Sequence, residues 1–197
     1  MMDRRGALGA LGALGAGAGL LGLSGCSTDN DQLAKQAGSG QGYVSGDGVV
    51  TQIAPGERKE PLDLAFTLLD GKRADLKQWR PRAVVINLWY AACPPCRREA
   101  PELVKVAQKY KGRAEFLGVN VRDQKAAAQA FIDTFAIKYP VMLDADGRMV
   151  SLLSAILPPQ ATPSTVVLDA QGRAAARIVG RVESSTLTGV IDDALQG

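Results

Sequence analysis

Hydrophobic positions switch between strand-like and helix-like spacing several times between residues 49 and 197. The run Ala83–Trp89 is apolar at every position except Asn87, which is typical of a strand buried on both faces. Further strands are predicted at Glu115–Val121 and Tyr139–Leu143. Two hairpins are also predicted, one from Leu64–Leu69 and Lys72–Asp75 around Asp70-Gly71, the other from Ser164–Asp169 and Arg173–Gly180 around Ala170-Gln171-Gly172.

Four segments have the periodicity of a helix with one apolar face. The first follows Cys96, the second follows Asp123, which we expect to cap it, the third is Met149–Ile156 and the fourth is C-terminal. The three longer stripes are Leu103, Val106, Ala107 and Tyr110, then Ala128, Phe131, Ile132 and Phe135, and finally Leu187, Val190, Ile191 and Ala194. Because strands and helices alternate, the pattern predicts an α/β domain with a mixed central sheet and helices on both faces.

The N-terminal residues have the charge layout of an export signal. Met1 to Arg5 is short and basic, and Ala7 to Leu23 is an uncharged run of Ala, Gly and Leu. The tetrad Leu23-Ser24-Gly25-Cys26 looks like a bacterial lipobox, so we expect residues 1–25 to be a lipoprotein signal peptide and Cys26 to carry lipid. Two alternatives remain open: a transmembrane anchor, and an ordinary cleaved signal that leaves Cys26 as a free thiol.

Composition divides the remainder into a tether and one domain. Residues 26–48 are mostly small and polar and cannot bury enough apolar surface to order themselves, so we expect a flexible tether. Residues 49–197 are enough for one domain with a hydrophobic core. The net charge of +3 is too small to suggest nucleic-acid binding.

The pair Cys93 and Cys96 lies between the predicted buried strand and the first predicted helix. A helix N-terminus carries unpaired N–H groups and the positive end of the macrodipole, which stabilise a thiolate. The spacing places the second thiol one turn away, where it can resolve a mixed disulfide. We therefore interpret Cys93-Pro94-Pro95-Cys96 as a redox dithiol.

Two other readings of the pair are half of a zinc site and two incidental buried thiols. The chain contains three cysteines and no histidine, so the usual four-coordinate zinc sites cannot be assembled. The same absence excludes Ser-His and Cys-His nucleophilic catalysis. We expect no metal, and no cofactor besides the Cys93–Cys96 disulfide itself.

Three motifs resemble the TlpA/ResA type of thioredoxin-like thiol-disulfide oxidoreductase, bacterial proteins tethered outside the cytoplasmic membrane. They are the segments 85–89, 93–99 and 161–169, and the resemblance covers roughly Val49 to the C-terminus. Residues 124–144 are similar to the helix-plus-strand insertion of this type. The resemblance implies a thioredoxin-like fold with an N-terminal hairpin.

The resemblance also assigns roles to individual residues. Cys93 would be the exposed nucleophile and Cys96 the covered, resolving thiol. Pro163 would follow a cis peptide bond, so that the backbone of Thr162 can pair with an extended substrate; an ordinary trans proline is the alternative. Glu99 would manage the protons of the dithiol, the alternative being a first-turn acid that complements the helix dipole.

Plain thioredoxins hold a buried Asp at the position of Asn87, so Glu99 is the nearby candidate for a proton acceptor. The resemblance favours a monomeric, extracytoplasmic, lipid-anchored reductase that keeps the cysteines of apocytochrome c reduced. Its reductant would be a membrane electron-carrier protein. An oxidase that introduces disulfides into exported proteins is the main alternative; a thiol peroxidase and a solute-binding lipoprotein are less favoured.

Overall fold

The computed structural model describes residues 48–158 and 161–196. The predicted signal peptide, Cys26 and nearly all of the predicted tether lie outside these residues. In the described part of the chain the strands are β1 (Val49–Gln52), β2 (Ala65–Thr67), β3 (Arg73–Asp75), β4 (Ala83–Trp89), β5 (Ala114–Asn120), β6 (Val141–Leu143), β7 (Ser164–Leu168) and β8 (Ala174–Val179). The α-helices are α1 (Pro94–Lys109), α2 (Lys125–Thr134), α3 (Arg148–Leu153) and α4 (Ser184–Gln196), and 3₁₀ turns span Pro55–Glu57 and Leu76–Trp79.

Six strands form one mixed sheet in the order β1-β8-β7-β4-β5-β6. The pairs β4–β5 and β5–β6 are parallel, whereas β7 is antiparallel to both β4 and β8. In the β4–β7 pair, Leu88 lies opposite Ser164. The end of β4 and the start of β7 are therefore at the same edge of the sheet, where α1 begins.

Helices cover both faces of the sheet, and β4 is therefore buried at every position. Val85 faces the apolar stripes of α1 and α4, including Leu103 and Ile191. Ile86 faces the opposite side, where Leu153 of α3 and the β2–β3 hairpin complete a second core. The predicted mixed α/β fold with helices on both faces is confirmed.

Most predicted elements are present with shifted ends. The β2–β3 hairpin turns at Asp70-Gly71 as expected, but its strands are shorter than the hydrophobic run, and β6 begins at Val141 and not at Tyr139. The helix expected at Met149–Ile156 ends at Leu153, where Ile156 N–H instead bonds to Leu153 O in a turn. Strand β1, which pairs with β8, was not predicted as a strand.

The prediction that Asp123 caps α2 was wrong. The N-cap is Gln124, which makes no side-chain capping bond. The Asp123 carboxylate instead accepts from the backbone N–H of Ala91 at 2.5 Å and from Asn120 Nδ2 at 2.7 Å. It thus fixes the loop that leads from β4 to the cysteines.

Candidate active site

Cys93 and Cys96 are joined by a disulfide at the start of α1. The Cα atoms lie 5.3 Å apart, and Cys93 is the N-cap of the 16-residue helix. Cys93 Sγ accepts a hydrogen bond from the backbone N–H of Cys96 at 3.2 Å. Pro94 and Pro95 occupy the first two helical positions, where a missing N–H removes no helical hydrogen bond. Cys93 therefore lies at the positive dipole end of a long helix, and the Cys96 N–H is the donor of the first turn that remains for its sulfur.

The expectation that Cys93 is exposed was wrong for this disulfide form, whereas Cys96 is covered as expected. Their exposed fractions are 0% and 1%. The junction packs against the aromatic residues of β4 and α2, with Trp89 stacked on Phe131 at a ring-centroid distance of 4.2 Å. This cover comes from α2, a contact between distant parts of the chain, so residue spacing alone could not indicate it.

Arg97 extends the cover at the protein surface. Its guanidinium lies 5.1 Å from the ring centroid of Phe135 and 5.9 Å from that of Phe131, and it donates to the carbonyl of Ala91 at 3.2 Å. A cation over an aromatic face is a favourable contact. Arg97 thus connects α1 to α2 and to the loop before Cys93. Residue type and spacing alone did not indicate this role.

Glu99 is completely buried on α1, one turn after Cys96. Asn87 Nδ2 donates to Glu99 Oε1 at 2.8 Å, and the backbone N–H of Val182 donates to Oε2 at 3.1 Å. Burial raises the pKa of Glu99 to about 8, although the two hydrogen bonds and the charge of Arg181 favour its ionised form. Glu99 is the sixth residue of α1 and lies beyond its first turn, so it does not fit the alternative of a first-turn acid that complements the helix dipole.

Thr162 and Pro163 lie at the same sheet edge as the disulfide. The Thr162–Pro163 peptide bond is cis, as expected from the sequence. Both residues are buried, and the carbonyl of Pro163 accepts from Gly180 N–H at 2.9 Å. Since Ser164 pairs with Leu88, these residues stand beside the end of β4 from which the cysteine loop departs.

A groove of about 420 Å³ borders Thr162 on the face of the sheet that carries α3. Most of its lining is apolar, and Arg122 lies at its border, its guanidinium 4.2 Å from the ring centroid of Tyr90. Apolar lining residues include Leu88, Val121, Leu153 and Leu157. Such a surface suits an apolar side chain of a bound polypeptide.

Two further groups at the site were not anticipated. Val182 bonds to Glu99 through its backbone, which no residue type can reveal in advance. Tyr139 stands close enough to Glu99 that burial and the nearby carboxylate both raise the pKa of its phenol. Among residues 48–158 and 161–196 there is no cluster of three or more Cys, His, Asp or Glu side chains that could hold a metal ion.

A disulfide at the N-terminus of a helix, entered from a buried strand and flanked by a cis-proline loop, defines a thioredoxin-like thiol-disulfide oxidoreductase. The Redoxin family matches residues 54–191, which is most of the chain. The protein belongs to the Redoxin family.

Named relatives agree with this class. The thiol-disulfide oxidoreductase ResA of Bacillus cereus strain ZK / E33L is 25% identical over 134 residues, which are 68% of this chain and 75% of the relative. Among solved structures, a DsbF homologue from Corynebacterium diphtheriae is 31% identical, with a TM-score of 0.69 over 73% of this chain and 92% of the other. A secreted thiol-disulfide isomerase from Corynebacterium glutamicum is 26% identical, with a TM-score of 0.70 over 75% and 92% of the two chains.

Proposed function

We propose that the protein is an extracytoplasmic reductase of protein disulfides, in which Cys93 attacks and Cys96 resolves. The observation that carries this proposal is the position of Cys93 as N-cap of α1 with its sulfur accepting from Cys96 N–H. In the dithiol form the same donor and the helix dipole would stabilise a Cys93 thiolate. The substrates are proteins with reducible disulfides.

The proposed reaction transfers two electrons from the dithiol to the substrate. The Cys93 thiolate attacks one sulfur of the substrate disulfide, and the other substrate sulfur leaves as a thiolate that takes up a proton. Cys96 then loses its proton and attacks Cys93 Sγ, which releases the second substrate thiol and closes the Cys93–Cys96 disulfide. A membrane electron-carrier protein would return the disulfide to the dithiol.

Glu99 is the proposed acceptor of the Cys96 proton. It lies one turn from Cys96 on α1, and residues three apart on a helix are neighbours. Its pKa of about 8 is close to that of an ordinary thiol, so proton exchange between the two groups is nearly balanced. The buried amide of Asn87 holds the carboxyl in place without competing for that proton.

The loop of Thr162 and Pro163 is the proposed docking site for the substrate backbone. Because these residues flank the end of β4, an extended segment paired with Thr162 would run past Cys93. The adjoining groove would receive an apolar side chain of that segment. Apocytochrome c, whose haem-binding cysteines must be reduced, is the specific substrate we propose on the resemblance to the TlpA/ResA type.

Membrane tethering through a lipid on Cys26 completes the proposal. The supporting observations are the basic start of the chain, the uncharged run and the lipobox-like tetrad. Within the part of the chain that the structure describes, no helix is long and apolar enough to cross a membrane. Cys26→Ala should shift the protein from the membrane fraction to the soluble fraction; retention in the membrane would contradict lipid anchoring.

The roles of the cysteines are tested by trapping. Cys96→Ser leaves a mixed disulfide on Cys93 without a resolving thiol, so it should accumulate covalent complexes with scrambled or oxidised substrate proteins. Cys93→Ser should not. Equal trapping by both variants would contradict the assignment. The wild type should also reduce insulin disulfides when supplied with dithiothreitol, and both variants should lose that activity.

A further inference from the structure

One peptide group connects the start of the domain to the buried carboxyl of the active site. The carbonyl of Arg181 accepts from the backbone N–H of Gly48 at 2.8 Å. The N–H of the same planar peptide group, on Val182, donates to Glu99 Oε2 at 3.1 Å. The two hydrogen bonds therefore share one rigid unit, and rotation of this peptide to improve one bond changes the other.

Gly48 fits this position because it has no side chain. A Cβ built on it would lie 2.6 Å from Arg181 O and 2.9 Å from Ile178 Cγ2, and the nearest of these atoms belongs to the connecting peptide itself. The backbone of Gly48 does not have the positive φ that favours glycine, so space is the requirement. Any larger residue must displace the Arg181 carbonyl or move β1 away from β8.

The loop that contains this peptide, residues 180–182, also makes a third hydrogen bond, to the cis-proline loop. Gly180 has a φ of 99°, and its N–H donates to the carbonyl of Pro163 in the cis-proline loop. The 180–182 loop is thus bonded to the entry of β1, to the proposed substrate-docking loop and to Glu99. A displacement of Gly48 is therefore transmitted through this loop to the active site.

We propose that Gly48 is a positioning residue for the active site: it holds the Arg181–Val182 peptide in the orientation in which Val182 donates to Glu99. The connection itself stands on geometry, and only its effect on the dithiol rests on the proposed function of Glu99. The end of the segment that precedes the domain is thereby coupled to the acid beside the cysteines.

The consequence is a shift in protonation at the site. The Val182 hydrogen bond favours the ionised carboxylate, so weakening it should raise the pKa of Glu99 further. Charged and titratable groups that also face Glu99 are Arg181 and Tyr139, and Cys96 precedes it by one turn of α1. With the carboxyl neutral over a wider pH range, a neighbouring thiolate is repelled less, and the thiol profile should move to lower pH.

The experiment compares Gly48→Ala with Gly56→Ala in the full-length protein. Gly56 is an exposed control, because a Cβ there meets nothing within 4 Å. In Gly48→Ala we expect faster hydrogen exchange at the Val182 amide, a Glu99 titration midpoint higher by roughly one pH unit, and a lower apparent pKa of Cys93 in alkylation. Gly56→Ala should match the wild type in all three.

A measurement on the oxidised wild type covers the case in which Gly48→Ala does not fold. The amide resonances of Gly48 and Val182 should titrate with one common midpoint near 8, and both responses should vanish in Glu99→Gln. A Gly48 amide that stays constant while Val182 titrates would overturn the coupling, as would unchanged Val182 exchange in Gly48→Ala. Absence of any titration of Glu99 near 8 would instead contradict its proposed role in proton transfer.

Discussion

Asn87 on β4 donates a hydrogen bond from Nδ2 to Glu99 Oε1 on α1, at 2.8 Å and out of contact with solvent. The same amide nitrogen also donates to Thr165 Oγ1 on β7 at 3.1 Å. One side chain therefore ties two central strands to the helix that carries the cysteines. The carboxyl of Glu99 lies on the helix, and its partner on the strand is the neutral amide of Asn87. Glu99 can therefore hold a proton without a second carboxyl group bonded to it at the position of Asn87.

The stability of the oxidised protein should depend on the protonation of Glu99. Its pKa is about 8 in the folded chain and near 4.5 when exposed, so the folded state binds more protons between these values. The stability contribution of Glu99 is then full below the lower pKa and falls as pH rises toward 8, by up to about 1.4 kcal/mol per pH unit. Denaturant titrations at several pH values should give this slope, and Glu99→Gln should flatten it.

Glu102→Gln on the same helix is the control for that measurement. Hydrogen bonds from Ser184 and Lys105 lower the pKa of Glu102. Its contribution to stability is therefore lost as pH falls, and not as pH rises. The fall in stability toward pH 8 should persist in Glu102→Gln. If Glu99→Gln keeps the same fall as the wild type, Glu99 is not protonated in the folded state.

Asn87→Ala should cost stability and move the titration of Glu99. The change removes a donor from a buried carboxyl and leaves Thr165 Oγ1 without it, which costs about 1–3 kcal/mol. Losing the donor also raises the pKa of Glu99, since the bond favours the ionised form. Thr165→Val is the matched control, because it removes one acceptor of Asn87 but keeps the bond to Glu99. An equal shift of the Glu99 midpoint in both variants would contradict the direct role of Asn87.

Gly118→Ala should destabilise the aromatic packing beside the disulfide. A Cβ on Gly118 would lie 2.9 Å from Trp89 Nε1 and 3.3 Å from Tyr139 Cε2. Overpacking of a close-packed core typically costs about 1–3 kcal/mol, so thermal unfolding should move to lower temperature. Gly189→Ala on α4 should do the reverse, because its Cβ meets nothing and alanine favours helix by about 0.5–1 kcal/mol. Equal melting temperatures for the two variants would show that the core around Gly118 can accommodate a methyl group without loss of stability.

Arg97→Ala should open the cover over the disulfide. It removes the contacts that join α1 to Phe135 and to the carbonyl of Ala91, so the buried sulfurs should react with small reductants more often. We expect dithiothreitol to reduce Arg97→Ala several-fold faster than the wild type. The control is Arg98→Ala, since Arg98 is the next residue of α1 and is exposed. Matching rates in both variants would show that Arg97 does not restrict access.

The sequence indicated those features that depend on local pattern. The continuous apolar run predicted β4, and the Ala128 and Phe131 stripe predicted the buried face of α2, because strand and helix periods are readable in one segment. Short edge strands carry weaker patterns, which is why β1 was missed.

Long-range contacts set the limits of prediction at the site. Asp123 had the residue type and spacing of a cap, but the Ala91 N–H competed for its carboxylate. The burial of Cys93 depends on α2, and the environment of Glu99 on Asn87 and on a backbone N–H of a loop far along the chain. Such partners are assembled by the fold, so residue types and local spacing do not specify them.

The reduction potential of the Cys93–Cys96 pair is the most direct test of the proposed reductase. It can be measured by equilibrating the full-length protein with dithiol and disulfide buffers of known reduction potential. The free thiols are then quantified at each buffer potential. A reductase should have a potential near that of thioredoxin, about −270 mV, so that its dithiol can transfer electrons to substrate disulfides. A potential near that of DsbA, about −120 mV, would make the protein an oxidant and contradict the account.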